Sequence, residues 1–267
     1  MAISKKEVRT SNDLQQYLQE SAKKSNRLYH YTTFESIICI IRNKCFRLSR
    51  MDLLNDRAEI KLGNKDRHLQ YYIMSLTRDK EYISMWAMYG KPSGIKLRLD
   101  FDRDKFANAI NNNFYFDSGL ENRIPLMDAP KTYLFAKKDF LISDIVYLDK
   151  SSMALRHNEN AFPMIGADDH IINEMTGFIK YDAWEFEREV RLRTRLQGYD
   201  LDNSNHGNTP RYIFAGINET LISDFGITFN PWISSELKEE IKKSLNALTG
   251  CELKYADSQN DGEVTEL

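Results

Sequence analysis

Cysteine is scarce in this sequence. The 267 residues hold three, Cys39, Cys45 and Cys251. An odd count with no repeated CxxC pair argues against a disulfide framework and fits reduced thiols in a cytosolic protein. Cys39 sits in the apolar run "SIICII" and is expected to be a buried, inert thiol. Five histidines (His30, His68, His157, His170, His206) stand well apart, and none clusters with a cysteine as a zinc site requires. Charge of one sign is lacking too. With 37 Lys and Arg against 39 Asp and Glu, a net charge of −2 and a pI near 6.2, there is no electrostatic footprint for non-specific nucleic-acid binding. A local patch acting on nucleic acid remains compatible with that balance. No apolar run approaches the length of a membrane span, and the opening "MAISKKEVRTSNDLQQ" has no apolar h-region. The expectation is a cytoplasmic protein with no membrane partner. Missing as well are a phosphate-binding glycine loop, a GxSxG elbow, HExxH and an EF-hand.

What is present suffices for one large folded domain. Hydrophobic residues make up 42% and aromatics 12%, enough for a sizeable core. "RLYHY" (27–31) reads as a short strand, and Thr32-x-x-Glu35 reads as a capping box opening a helix with Phe34, Ile37, Ile38 and Ile41 inward. "CFRLS" (45–49), "YYIMSLT" (71–77), "GIKLRLDF" (94–101), "FLISDIVYL" (140–148) and "ITFNP" (227–231) read as strands. Helices are expected at 82–90, 105–114, 168–180, near "NETLISDFG" and at 235–248, the last with Leu237, Ile241, Leu245 and Leu248 buried. Strands outnumber helices without regular alternation, which favours α+β over a doubly wound parallel sheet. Three segments follow: an N-terminal arm and short helix (1–26), one domain (27–250), and an acidic tail (251–267) expected to be disordered.

The most informative stretch is "WEFEREVRLR" (184–193). Its period of two puts Trp184, Phe186, Val190 and Leu192 on one face of a strand and Glu185, Glu187 and Glu189 on the other, leading into Arg191 and Arg193. Such a ladder is either a solvated face with cross-strand ion pairs or a site lining. "HYTTFE" puts His30 at a strand end beside the amides of a capped helix start, which favour an anion. "MWAMYG" (85–90) supplies Trp86 and Tyr89, able to stack on a flat ligand or to pack a core. Asn55-Asp56 with Glu59 reads as a turn held by side-chain hydrogen bonds.

In order along the chain, "LYHYTT" (28–33), "LNDRAE" (54–59), "MSLT" (74–77), "MWAMYG" (85–90), "GIKLRLDF" (94–101), "WEFEREVR" (184–191) and "ITFNPWISSELKEEI" (227–241) resemble a bacterial family of domains of unknown function. The layout of that family is similar to ADP-ribosyltransferases. The resemblance implies a single α+β domain, an ADP-ribosyltransferase-like split β-sandwich flanked by helices. It implies NAD as substrate, held by His30, Tyr31, Thr32, Ser75 and Thr77, with no metal. It implies Glu189 as the catalytic carboxylate and Glu187 as its substrate-side partner, with Glu185-x-Glu187 as a second possible frame. Asn55, Trp86, Tyr89 and Arg191 are the implied supporting residues. The acceptor would be a macromolecule, nucleic acid or protein, and the setting a bacterial toxin or phage-defence effector with an antitoxin protein as partner. Two other classes stay open: a non-catalytic module binding a nucleotide or a partner, and a metal-dependent nuclease using Asp56, Glu59 and Glu187.

Overall fold

The computed structural model describes residues 26–54, 70–78, 83–89, 95–110, 114–116, 134–135, 141–148, 176–197 and 211–259. Asn55, Asp56, Glu59, the N-terminal helix and most of the expected 168–180 helix lie outside them. Early in the chain come β1 (Arg27–Thr33), α1 (Phe34–Asn43), β2 (Cys45–Arg50) and a 3-10 turn at Met51–Leu53. Next are β3 (Tyr71–Thr77), α2 (Ile83–Met88), β4 (Lys96–Asp102), α3 (Arg103–Ala109), β5 (Phe114–Phe116) and β6 (Leu134–Phe135). After β7 (Leu141–Asp144), β8 (Val146–Leu148) and β9 (Ile179–Tyr181), a 3-10 turn at Asp182–Glu187 leads into β10 (Glu189–Gln197). The chain closes with β11 (Tyr212–Gly216), α4 (Glu219–Ser223), β12 (Gly226–Phe229), α5 (Ser235–Thr249) and β13 (Lys254–Ala256). The class is α+β, as the irregular order of elements implied. Among the described residues no helix is long and apolar enough to cross a membrane.

The chain divides into two compact units with interleaved segments. One holds Met1–Ser25, Leu48–Ser75 and Phe114–Ile213, the other Asn26–Arg47, Leu76–Asn113 and Phe214–Leu267. Both draw on the segment 27–250.

In the second unit β1 pairs antiparallel with β4 over its whole length, from Arg27↔Asp102 to Thr33↔Lys96. β4 pairs antiparallel with β12, and β12 parallel with β13. Alternation gives this sheet two unlike faces. Leu28, Leu97, Leu99, Phe101, Ile227 and Phe229 form an apolar face, and all are nearly fully buried. Phe46, Phe101, Phe106 and Phe225 pack ring to ring on it at 4.6–6.2 Å. The opposite face carries a buried polar set: Arg98 Nε donates to Asp100 Oδ1 at 2.9 Å, Arg98 Nη2 donates to Thr228 Oγ1 at 3.0 Å, and the guanidinium lies 4.6 Å from the Tyr29 ring centre. Burial pushes the Asp100 carboxyl up from its ordinary value, against the pull of Arg98.

Local chemistry explains where α1 starts. The cap is Thr33, whose Oγ1 accepts from the Ser36 N–H at 3.3 Å, while Thr32 stays in β1. The cap read at Thr32 therefore stands one residue later, at Thr33, with Ser36 as its N–H partner. Ile37, Ile40 and Ile41 form the buried stripe of α1, and Cys39 is exposed rather than buried. The expected acidic tail is also corrected in part. Its first residues form β13, where Tyr255 pairs with Ile227, stacks on Phe229 at 5.9 Å and donates to Asn246 Oδ1 at 2.7 Å. These apolar and polar contacts with β12 and α5 give residues 254–256 more than an acidic composition suggests.

Candidate active site

In the first unit the stretch 184–193 is not one strand. Residues up to Glu187 form a 3-10 turn, Arg188 adopts a left-handed conformation (φ 45°) with its N–H donating to the Glu185 carbonyl at 3.1 Å, and β10 begins at Glu189. Pairing with β7 runs from Val190↔Asp144 to Arg193↔Leu141, and the Ile145 N–H donates to the Glu189 carbonyl at 3.0 Å. The expected inward face splits accordingly. Val190 and Leu192 are buried, Trp184 is half-buried, and Phe186 is exposed. From Glu189 onward the period of two holds, with Glu189, Arg191 and Arg193 on one side of β10 and all three buried. Arg193 lies over the rings of Tyr71 and Phe178 at 4.8 and 4.5 Å and donates to the Thr176 carbonyl.

The bend at Arg188 brings Glu187 and Glu189 to one cation, Lys180 of β9. Lys180 Nζ donates to Glu187 Oε2 at 2.5 Å and to Glu189 Oε2 at 3.2 Å. Arg191, two residues along the same face, forks onto Glu189, with Nε to Oε1 at 2.6 Å and Nη2 to Oε2 at 3.0 Å. Its remaining nitrogen donates to the Gly177 carbonyl at 2.8 Å. Gly177 stands at φ 81°, a backbone conformation that side-chain-bearing residues rarely adopt, so the turn that aims this carbonyl at Arg191 favours glycine. The Glu189 backbone N–H donates to the Tyr147 hydroxyl at 2.8 Å. Ser75 of β3 completes the set with a hydrogen bond to the Glu189 carboxylate.

Burial by itself would raise the Glu189 pKa. The Arg191 and Lys180 charges and the Arg191 and Ser75 hydrogen bonds outweigh it and hold the carboxyl well below the usual range, at about 2. Desolvation likewise opposes charge on Lys180, but the two glutamates win and raise its pKa. Tyr147 is pushed up by burial and by the Glu189 carboxylate. Glu189 is thus an ionised, nearly inaccessible carboxylate at neutral pH. Ser75, its partner on β3, is exposed.

Ser75, Glu187, Glu189 and Arg191 therefore meet in one cluster. Lys180 and Tyr147, which sequence reasoning missed, belong to it; a lysine in "GFIKY" gave no signal of its own. The remaining expected residues belong to the other unit. His30 is half-buried, its ring edge-on to Phe46 with centres 6.4 Å apart. Thr32 shares that face of β1, whereas Tyr31 points to the other, as alternation requires. Tyr31 packs edge-on against Trp86 at 4.7 Å, with Met85 and Tyr89 in the same cluster. Trp86 is fully buried, so its ring serves the core. Thr77 is buried on β3, opposite Tyr29. Among the described residues no group of three or more His, Cys, Asp or Glu side chains is arranged to hold a metal ion.

No curated protein matches the chain. Among solved structures it is similar to DarT of Thermus sp. 2.9 in complex with carba-NAD+, at 12% identity and a TM-score of 0.35, over 89% of this chain and 97% of that one. Residues 85–192, about two-fifths of the chain, span the "MWAMYG", "GIKLRLDF" and "WEFEREVR" boxes, and over them the chain matches the family described as "Protein of unknown function (DUF2971)".

Proposed function

We propose that the protein is an NAD-dependent ADP-ribosyltransferase acting on a macromolecular acceptor, with Glu189 as the catalytic carboxylate. The observation that carries this reading is the hydrogen bond between Ser75 and an ionised Glu189. Ser75 comes from one sequence box and Glu189 from another, far apart in the chain, and the resemblance implies both as site residues. Cleaving the nicotinamide–ribose bond leaves its electron pair on nicotinamide and builds an oxocarbenium-like cation on the ribose. A fixed carboxylate bonded to the ribose 2′-hydroxyl stabilises that cation, and a carboxylate already desolvated and oriented does so without reorganising. The acceptor's lone pair then closes the bond at the anomeric carbon and its proton leaves. Glu187 serves the acceptor side, and Arg191 steadies Glu189. His30, Tyr31, Thr32, Ser75 and Thr77 are the residues we assign to NAD, with Asn55 and Tyr89 in support, and the chemistry calls for no metal. The setting we propose is a cytoplasmic bacterial toxin or phage-defence effector whose acceptor is nucleic acid or protein and whose activity an antitoxin protein restrains.

The test is labelled NAD incubated with the protein and a cell lysate, following label into RNA, DNA and protein. Glu189→Gln is expected to abolish transfer. Glu189→Asp, which keeps the charge but withdraws it by one methylene, is expected to lose about 10²-fold. Full turnover in folded Glu189→Gln ends the proposal. A second reading, a non-catalytic module, is favoured by one fact: both Glu189 oxygens already accept from Arg191 and Lys180. It predicts no NAD turnover in any variant and a thermal shift with a nucleotide.

A further inference from the structure

We propose that Lys180 is a positioning residue, one ammonium that ties Glu187 to Glu189 and holds the two carboxylates in a set arrangement beside the Trp184 ring. The inference rests on reading Glu189 as the acting carboxylate. Lys180 is buried, and it enters from β9, an element apart from either glutamate. Its Nζ contacts Glu187 at 2.5 Å, Glu189 at 3.2 Å and the Trp184 ring centre at 4.8 Å. Those three partners come from two kinds of backbone, the 3-10 turn for Trp184 and Glu187 and the strand for Glu189.

The groups that face Glu189 are Arg191 on β10, Lys180 on β9, Glu187 on the turn, Tyr147 on β8 and Ser75 on β3. Arg191 is held by Glu189 and the Gly177 carbonyl, and the Tyr147 hydroxyl accepts the Glu189 N–H. Lys180 reaches both acids. Without it, Glu189 loses one of its two cations, which favours proton uptake by its carboxyl. A flexible ammonium with three donors suits this bridging role, since it bonds two acceptors from unrelated directions.

The experiment uses the full chain labelled with carboxyl-13C glutamate, reading the Glu189 titration by NMR and the acid limb of NAD cleavage in parallel. In Lys180→Met the Glu189 midpoint is expected to rise by about one pH unit or more, with the acid limb following it. Lys180→Arg, which keeps a cation, is expected to restore most of the shift. If Lys180→Met does not fold, Glu187→Gln carries the test. Lys180 then serves Glu189 alone, and the midpoint is expected to fall below that of the parent. An unchanged Glu189 midpoint in the folded variants overturns the role given to Lys180. Full NAD turnover in Glu189→Gln overturns the reading of the site instead, and the NMR result stands apart from it.

Discussion

Glu189 makes acid stability a direct measure of the buried network. Its carboxyl titrates at about 2 in the folded protein against an ordinary value of 4.5. A depressed folded pKa stabilises the protein above the unfolded value, and that stability is lost as pH falls toward the folded one. The full linkage is about 3 kcal/mol at neutral pH, of which about 2 kcal/mol disappears between pH 7 and pH 3. Glu189→Gln removes this dependence and leaves the same Arg191 and Lys180 charges unpaired in a buried site, so the total loss at pH 7 is about 3–5 kcal/mol. The assay is urea unfolding of both proteins at intervals from pH 7 to pH 3, plotted as the difference in stability. The difference should be largest at neutral pH, start to shrink below pH 4.5 and be smaller by about 2 kcal/mol at pH 3. A difference that stays flat across that window, or grows on acidification, refutes the charge assignment.

Two further outcomes follow from local geometry. Gly177→Ala forces a Cβ to within 2.9 Å of Ile73 Cδ1 at a positive φ, so it should cost about 1–3 kcal/mol in thermal unfolding and, under the proposed function, reduce NAD cleavage by displacing the carbonyl that holds Arg191. Thr33→Ala should cost about 1 kcal/mol by removing the cap on α1, whereas Thr32→Val leaves that cap in place; equal losses from the two would place the cap wrongly.

Much of the fold was legible because its signals are local. Alternation in "RLYHYTT" and "GIKLRLDF" marks β1 and β4, and it already separates Leu97, Leu99 and Phe101 from Arg98 and Asp100. Of the expected stripe Leu237, Ile241, Leu245 and Leu248, Ile241 and Leu245 are buried and the other two half-buried, and Gly250 closes α5 at φ 68°. The break in "FLISDIVYL" was not legible. It becomes β7 and β8 because Asp144 pairs with β10 while Val146 pairs with β9, a choice that depends on strands distant in the chain.

The residues of the site show the same division. Period two alone determined that Glu189, Arg191 and Arg193 share one side of a strand with Val190 and Leu192 on the other. Tertiary structure decided where that strand begins. Backbone groups of Asp182–Glu187 close on themselves as a 3-10 turn, and the ladder to β7 starts only past the left-handed Arg188. It also decided that Lys180, Tyr147 and Ser75 converge on Glu189. A carboxylate's neighbours in space set its charge, and no periodicity in a single segment encodes a partner that arrives from another strand.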